Sequence, residues 1–290
     1  MHCPGPFQIQ KVVEFEWPDR APEFLLKDVS AEAFRATRTA NDARFVTQAT
    51  KHLIMSFHSF VVRPGDTTML VDTCVGNHKE RPALAEWHLQ ERPYLERLGQ
   101  IGLTPEDIDF VCCTHLHADH VGWNTRLDNG RWVPTFPNAR YLFARREVDY
   151  WEAFHANDPD NMFQNSWNDS VVPVLEAGQA DLVIDGHEVT QGIRITPAPG
   201  HTPGNIVIEL SDKKSRAIMS GDAIHHPVQI ERPNWSSNFC LDPIESATTR
   251  HALLERLADQ NIILLPAHFA GPTAVKIVGD DQGFFYADAE

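Results

Sequence analysis

The most restrictive feature of the chain is the stretch THLHADHVG at residues 114–122. It places three histidines and an aspartate within six residues: His115, His117, Asp119 and His120. A largely apolar run at residues 108–113 precedes it and has the composition of a short buried strand. His115 and His117 are two positions apart, so their side chains point the same way from an extended strand end. Imidazole and carboxylate groups bind zinc and neighbouring first-row metals, and the stretch therefore predicts a metal site rather than a solvated loop.

Composition narrows the class of protein. The chain has 290 residues, 42% of them hydrophobic, which is enough for one large domain or two small ones. The net charge of −15 disfavours a nucleic-acid-binding surface. No apolar stretch is long enough to span a membrane, and the N-terminus lacks the pattern of a signal peptide. We therefore expect a cytoplasmic globular protein.

The chain alternates between strand and helix patterns. A polar turn at residues 63–66 separates two β-forming runs, which predicts a hairpin. Residues 82–101 have the apolar spacing of a helix interrupted near Pro93. Residues 156–170 show no periodicity and are a candidate lid. Further strands are predicted at residues 7–15, 139–143, 182–184, 193–197, 205–210, 216–219 and 262–265, and helices at 30–39, 145–155 and 244–258. Two β-rich halves with helices predict an α/β fold of two packed sheets with helices outside.

Three more polar side chains follow apolar runs at predicted strand ends. They are His201, Asp222 and His268, and the first two lie in glycine-containing loops that let the backbone approach closely. A lone histidine is more often a surface or satisfied core residue than a ligand. Together with residues 115–120, however, these three supply the ligands that a second metal needs.

In this order the residues resemble the ligand pattern of the metallo-β-lactamase superfamily, over about residues 50–270. The resemblance implies an αββα sandwich, with two mixed β-sheets packed face to face and helices outside. Residues 1–290 would form a single domain, with residues 1–50 as an N-terminal extension and a candidate dimerisation arm of a homodimer.

The same resemblance implies how the ligands are divided between two metals. One metal would be held by His115, His117 and His201, the other by Asp119, His120 and His268, with Asp222 as the bridge and Asp72 orienting a ligand imidazole. The cofactors would be two divalent ions, zinc first, with iron, manganese or cobalt as alternatives.

The resemblance is closest to the group that holds N-acyl-homoserine lactonases and methyl parathion hydrolase-like enzymes. It is carried by the residues after Asp222, by PAHF at 266–269 and by GFF at 283–285. It implies a hydrolase that opens a lactone or cleaves a carboxylic ester of a small molecule by attack of a metal-bridging hydroxide. Asp119 would relay a proton. Phosphotriester hydrolysis is the alternative, and a metal-binding protein without hydrolytic activity is a remote one.

One position departs from that group. The lactonases carry a tyrosine three residues after the bridging aspartate, where it assists the substrate carbonyl, whereas this chain has His225 followed by His226. A histidine there could donate the same hydrogen bond, so His225 is a candidate catalytic residue; a surface turn is the alternative. Trp123 directly follows the metal-ligand stretch and Phe269 follows a ligand, and both are candidates for the wall of an apolar substrate pocket.

Overall fold

The computed structural model of the protein describes residues 7–158, 164–212 and 216–289. The described residues form two compact units. Unit 1 takes in Phe15–Ser56 and residues 186–289, and unit 2 takes in residues 7–14 and Phe57–Asp185. The expectation that residues 1–290 make a single domain, with residues 1–50 as an N-terminal extension, stays a prediction.

Strands outnumber helices in the described ranges. The strands are β1 (Phe7–Arg20), β2 (Val46–Thr47), β3 (His52–Pro64), β4 (Met69–Val71), β5 (Phe110–Cys112), β6 (Thr125–Asp128), β7 (Arg131–Pro134), β8 (Arg140–Ala144), β9 (Ala180–Val183), β10 (Glu188–Thr190), β11 (Ile193–Pro197), β12 (Ile206–Ser211), β13 (Arg216–Met219), β14 (Ile262–Leu265), β15 (Val275–Asp280) and β16 (Gly283–Asp288). The helices are α1 (Pro22–Leu25), α2 (Ala31–Arg35), α3 (Tyr94–Gln100), α4 (Ala118–Val121), α5 (Arg145–Asn157), α6 (Gln164–Ser166), α7 (Val172–Glu176), α8 (Val228–Glu231) and α9 (Pro243–Leu257). Short 3₁₀ turns lie at Thr39–Asn41, Pro105–Asp107, Gly122–Asn124 and Gly221–Ala223, and a π-helical turn, Trp167–Val171, joins α6 to α7.

One mixed sheet has the strand order β1-β3-β4-β5-β8-β9, with β2 added on β3. The predicted hairpin is confirmed, because β3 and β4 pair antiparallel with Phe60 opposite Val71. By contrast β4, β5, β8 and β9 run parallel to one another. The carboxyl ends of β4 and β5 therefore meet at one edge of the sheet, and Val71 pairs there with Cys112. Polar residues that follow these two strands are brought close together by this pairing.

The other mixed sheet has its strands in chain order, β10 to β16. In this sheet β13 and β14 pair parallel and the other neighbouring strands pair antiparallel. The helix α9 makes the crossover between β13 and β14. α9 begins at Pro243 because the Asp242 carboxylate caps the N–H groups of Ile244 and Glu245. Its buried face includes Leu253, Leu254 and Leu257. The parallel register places Met219 level with Leu265, so both strands end at the same edge.

Residues 82–93 do not form the helix that their apolar spacing predicts. The chain turns there, and the side-chain amide of Asn77 bonds both the N–H (2.8 Å) and the carbonyl (3.0 Å) of Arg92. α3 begins only at Tyr94, directly after Pro93. Proline disfavours the helical conformation in the residue before it and cannot donate a hydrogen bond within a helix. The helix prediction was therefore right after Pro93 and wrong before it.

The segment predicted to be a lid is only partly described. Residues 159–163 of this segment, 156–170, lie outside the described residues, while residues 164–170 are helical rather than irregular. The helix predicted at 145–155 is confirmed as α5. Across the part of the chain that the structure describes, no helix is both long and apolar enough to cross a membrane.

Candidate metal centre

The loop cluster, which we define as His115, His117, Asp119 and His120, lies in unit 2 just past the end of β5. His117 immediately precedes α4, and Asp119 and His120 lie within its single turn. The ring of His115 lies 4.7 Å from that of His117 and 4.0 Å from that of His120, measured between centroids. All three imidazoles are buried. The structure thus brings together the three histidines of the 115–120 stretch.

Asp72 holds the loop cluster from the end of β4. Its carboxylate accepts hydrogen bonds from the Thr114 backbone N–H at 2.7 Å and from His120 Nδ1 at 2.9 Å. Because Nδ1 of His120 is thereby the protonated nitrogen, Nε2 is left to bind a metal. Asp72 adopts a left-handed φ of 55°, a conformation that aspartate tolerates better than most residues. This is the orienting contact that the resemblance implies for Asp72.

Two buried glutamates also hold this region in place, and no sequence pattern pointed to them. Glu147, on the first turn of α5, accepts the N–H of Leu116 at 3.0 Å and the indole N–H of Trp151 at 2.7 Å. Leu116 stands between two of the clustered histidines, so this bond holds the backbone that carries them. Glu14 accepts the N–H groups of Val75 and Gly76, and burial raises the pKa of its carboxyl. From sequence alone an acidic residue is expected to be exposed to solvent, so the burial of Glu14 and Glu147 could not be predicted.

The Asp222 cluster, which we define as His201, Asp222, His225 and His268, lies in unit 1. Asp222 follows β13 in the 3₁₀ turn Gly221–Ala223, and His268 follows β14. One carboxylate oxygen of Asp222, Oδ2, lies 3.3 Å from His201 Nε2 and 3.2 Å from His225 Nε2. The other oxygen, Oδ1, lies 3.1 Å from His268 Nε2. All four residues are buried, so a single carboxylate organises three imidazoles.

The donor atoms of the Asp222 cluster fit a metal. Two ligand atoms at about 2.0–2.1 Å from a tetrahedral zinc are about 3.3 Å apart, close to the observed separations. His268 Nδ1 donates to the Ser56 carbonyl at 3.1 Å, and His201 Nδ1 lies 3.5 Å from Cys240 Sγ. These contacts turn the Nε2 atoms toward Asp222. The carboxylate also offers each of its oxygens to a different side, as a bridging ligand does.

A glycine makes the loop of His201 possible. Gly200 has a φ of +116°, and a Cβ there would lie 2.1 Å from the backbone nitrogen of Ser246. The loop lies against the start of α9, where the N–H of Asp242 donates to the Gly200 carbonyl at 2.9 Å. Only glycine fits both the backbone conformation and the close approach. His201 is thereby held at the N-terminal end of α9.

Residues 58–268 match the model of the Metallo-beta-lactamase superfamily, which is more than half of the chain. The chain belongs to this superfamily. Its membership confirms the predicted αββα fold class, with two mixed sheets and helices. Of the seven residues expected to be ligands, four form the loop cluster, and the other three, His201, Asp222 and His268, belong to the Asp222 cluster.

Known members of the metallo-beta-lactamase superfamily resemble the chain in part. An N-acyl homoserine lactonase from Bacillus sp is 28% identical over 123 residues, which are 42% of this chain and 40% of that protein. N-acyl homoserine lactonase AiiB of Agrobacterium fabrum (strain C58 / ATCC 33970) is 35% identical over 77 residues, 22% of this chain and 27% of that protein. The chain thus spans well under two thirds of the length of these curated relatives.

Two solved structures share the fold of this metallo-beta-lactamase chain along its length. The dizinc quorum-quenching lactonase AidC, in complex with a product, superposes with a TM-score of 0.81 at 19% identity, covering 100% of this chain and 96% of that one. Hydrolase AbOPH superposes with a TM-score of 0.79 at 22% identity, with the same coverage. At these identities the likeness establishes the fold alone.

The two aromatic residues expected in a substrate pocket, Trp123 and Phe269, are buried in this metallo-beta-lactamase fold, and their place in a pocket stays a prediction. Trp123 is 5% exposed, stacks on Tyr94 at 5.2 Å and donates its indole N–H to Glu14. Phe269 is fully buried against Phe45, with ring centroids 5.5 Å apart. Each side chain lies inside the core of its unit.

His225 is not part of a surface turn. It is 2% exposed, and its backbone N–H donates to the Gln229 side chain at 2.7 Å. The neighbouring His226 is also buried, and its Nε2 donates to the Phe45 carbonyl at 3.0 Å. Burial lowers the pKa of His226 to about 4. The sequence alternative of a solvent-exposed turn before Pro227 is therefore wrong.

Proposed function

We propose that the protein is a binuclear metal-dependent hydrolase that opens lactones or cleaves related carboxylic esters. The observation that carries the proposal is the placement of Asp222. Its Oδ2 lies 3.3 Å from His201 Nε2, and its Oδ1 lies 3.1 Å from His268 Nε2. A buried carboxylate with one oxygen toward each of two imidazoles is suited to join two metal ions, one on each side.

The proposed ligand sets follow the superfamily pattern. One ion would be bound by His115, His117 and His201, the other by Asp119, His120 and His268, with Asp222 shared. Asp72 supports this arrangement by holding His120 through Nδ1. Zinc is the first choice because imidazole and carboxylate ligands suit it, and because AidC is described as a dizinc lactonase.

The two ions would supply Lewis acidity and a water molecule that ionises near neutral pH. The residues of the chain would hold them and manage charge. With only Asp119 and Asp222 as anionic ligands, the site would keep a net positive charge and so stabilise an oxyanion. Asp119 is the more exposed of the two carboxylates, and its Oδ2 lies 3.7 Å from His120 Nε2. It is therefore the better placed to exchange a proton with a leaving alcohol.

The choice of lactones rests on similarity to N-acyl homoserine lactonases and to AidC. A lactone carbonyl and a phosphotriester both place a polarised oxygen and a leaving oxygen at the reacting centre. Phosphotriester hydrolysis therefore stays the second candidate. The side chain at position 225 makes the distinction worth testing, because histidine stands there in place of the lactonase tyrosine.

The test is turnover of a substrate panel by zinc-loaded and chelator-treated protein, with metal content measured on the same samples. The panel contains γ- and δ-lactones, an N-acyl-homoserine lactone, an aryl ester, a phosphotriester and a β-lactam. We expect zinc-dependent lactone opening that chelation abolishes and zinc restores. His251→Ala is the control, because this histidine is half exposed on α9 and should change neither metal content nor rate. Undiminished turnover by metal-free protein would refute the proposal.

A further inference from the structure

We infer that His225 is itself a metal ligand, on the side of Asp222 that faces His201. This inference rests on the proposed binuclear function and adds a ligand to it. The ligand atoms of His201, Asp222 and His225 all lie within 4.8 Å of one another, and all three residues are buried. The three belong to unit 1, so the group is complete within a single unit.

The first argument is the oxygen that His225 faces. Its Nε2 lies 3.2 Å from Asp222 Oδ2, the same oxygen that lies 3.3 Å from His201 Nε2. The third histidine of the cluster, His268, instead faces Oδ1. His225 and His201 are therefore paired on one side of the carboxylate, where a single ion can reach both. Ligand atoms at about 2.0–2.1 Å from one zinc ion lie about 3 Å apart, and with His225 this ion would have five ligands from the chain instead of four.

The second argument is the lack of any hydrogen bond to the ring. Neither Nδ1 nor Nε2 of His225 has a hydrogen-bond partner among the described residues, although the side chain is almost fully buried. The 3.2 Å approach to Oδ2 does not meet hydrogen-bond geometry, so the N–H direction misses the oxygen. A buried imidazole with two unpaired nitrogens is costly. Coordination through Nε2 would satisfy one of them, since the lone pair can point to a position beside Oδ2.

The neighbouring His226 has a structural role, and its ring contacts differ from those of His225. His226 is equally buried, but its Nε2 donates to Phe45, and its Nδ1 lies 3.3 Å from the N–H of Val228. His225 is also buried, but its ring nitrogens make no comparable hydrogen bonds to the described residues. The ring is instead held by its backbone, through Gln229, with its free edge toward Asp222. The chain has thus fixed the position of His225 without using its nitrogens.

Metal ligation and hydrogen-bond donation to the substrate predict opposite results for two isosteric variants. His225→Glu replaces the neutral imidazole by an anionic metal ligand of similar reach and removes the N–H donor. His225→Gln keeps an N–H donor and leaves only a weak ligand. If His225 is a ligand, metal affinity follows the order wild type, His225→Glu, His225→Gln. If it is a donor, all three bind metal alike, and only the rate of His225→Glu falls.

The experiment measures zinc retention against a chelator series, together with the absorption spectrum of the cobalt-substituted proteins. We expect His225→Gln to bind one of its two ions at least about 10-fold more weakly and to alter the cobalt spectrum. His225→Glu should recover most of the affinity. His226→Gln is the matched control, because its amide can still donate to Phe45, and it should keep both ions. Thermal unfolding of each metal-free protein separates lost ligation from lost folding.

The outcomes are independent of substrate. Wild-type zinc affinity in both His225 variants would overturn the inference even if the enzyme proves to be a fast lactonase. Weakened binding in His225→Gln with recovery in His225→Glu would support it even if no member of the substrate panel turns over. If His225→Gln does not fold, the comparison of His225→Glu with wild type remains decisive through its cobalt spectrum. An unchanged spectrum there would count against ligation by residue 225.

Discussion

The loop cluster and the Asp222 cluster hold their proposed metal ligands in place in opposite ways. In the loop cluster the proposed ligands are neighbours in sequence, and separate buried carboxylates such as Asp72 and Glu147 hold their backbone and rings. In the Asp222 cluster the proposed ligands come from three distant loops, and the carboxylate that lies between the imidazoles is itself a proposed ligand. Contiguous ligands therefore need external support, whereas dispersed ligands depend on the strands that deliver them.

Strand register explains how the dispersed ligands meet. Met219 and Leu265 are paired in the parallel strands β13 and β14. Asp222 and His268 each follow three residues after their member of this pair. Because the two strands run in the same direction, equal offsets bring both side chains to the same level beyond the sheet. A shift of register in either strand would separate them.

The largest effect should follow from Asp222→Asn, which keeps the shape of the side chain and removes its charge. An amide cannot serve two metals through two oxygens, so we expect weakened binding of both ions. The rate constant kcat/KM should fall by at least about 10³-fold, equivalent to about 4 kcal/mol. Asp119→Asn is the comparison within the loop cluster. It should weaken one ion more than the other, and equal loss of both ions in the two variants would contradict the difference drawn between the clusters.

Gly200→Ala tests how far the Asp222 cluster depends on its backbone. The added Cβ would meet the Ser246 nitrogen at 2.1 Å and would also disfavour the φ of +116°. We expect the free energy of unfolding to fall by about 3 kcal/mol or more, measured by urea denaturation of the metal-free protein. Gly65→Ala is the matched control, because it also has a positive φ but no atom within 4 Å of the added Cβ. Equal destabilisation by both would show that φ alone, and not the close approach, makes glycine necessary.

Much of the fold and of the ligand set could be predicted from the sequence, for a physical reason. Composition predicts the strands that end in short polar loops. Just after such strands come His115, His117, Asp222 and His268. The supporting residues could not be predicted in this way. Glu147 lies on a helix whose pattern does not reveal that its carboxylate turns inward, and the burial of His225 depends on packing around Gln229. The β6–β7 hairpin was missed as well.

Asp72→Asn tests the external support of the loop cluster. Asparagine tolerates the left-handed φ of 55°, so the backbone should be little changed. The amide is a weaker acceptor for His120 Nδ1, and its N–H₂ group cannot accept from Thr114. We expect one ion to bind about 10- to 100-fold more weakly, measured by chelator competition. Because this contact belongs to unit 2, Asp72→Asn should leave the effect of His225→Gln unchanged when the two are combined; strong non-additivity would mean that support and ligation are coupled.

The smallest effect concerns a buried ion network in unit 2 that lies outside the loop cluster. Lys79 Nζ donates to Thr125 Oγ1 at 2.6 Å and to the Asp169 carbonyl at 3.1 Å, while Arg81 makes two hydrogen bonds to the Asp169 carboxylate. Burial lowers the pKa of Lys79 to about 7, with Asp169 opposing that shift. This lysine supports the π-helical turn that carries Asp169, and it is not a candidate ligand. A substitution of Lys79 therefore tests how charge affects the stability of unit 2 without changing a proposed metal ligand.

The direction of the pH dependence follows from the protonation of Lys79 in the folded and the unfolded states. Between pH 7 and the usual lysine pKa near 10.5, the unfolded chain keeps the Lys79 proton and the folded protein releases it. Stability from this group should therefore rise with pH, by about 1 kcal/mol between pH 7 and pH 8. Lys79→Met should lack this gain in stability. The measurement is the free energy of unfolding in urea, for variant and wild type, at pH 7 and pH 8; the difference between the two proteins should change by about 1 kcal/mol from one pH to the other. A constant difference would mean that Lys79 keeps its proton when buried, and that its contacts with Asp169 outweigh the cost of desolvation.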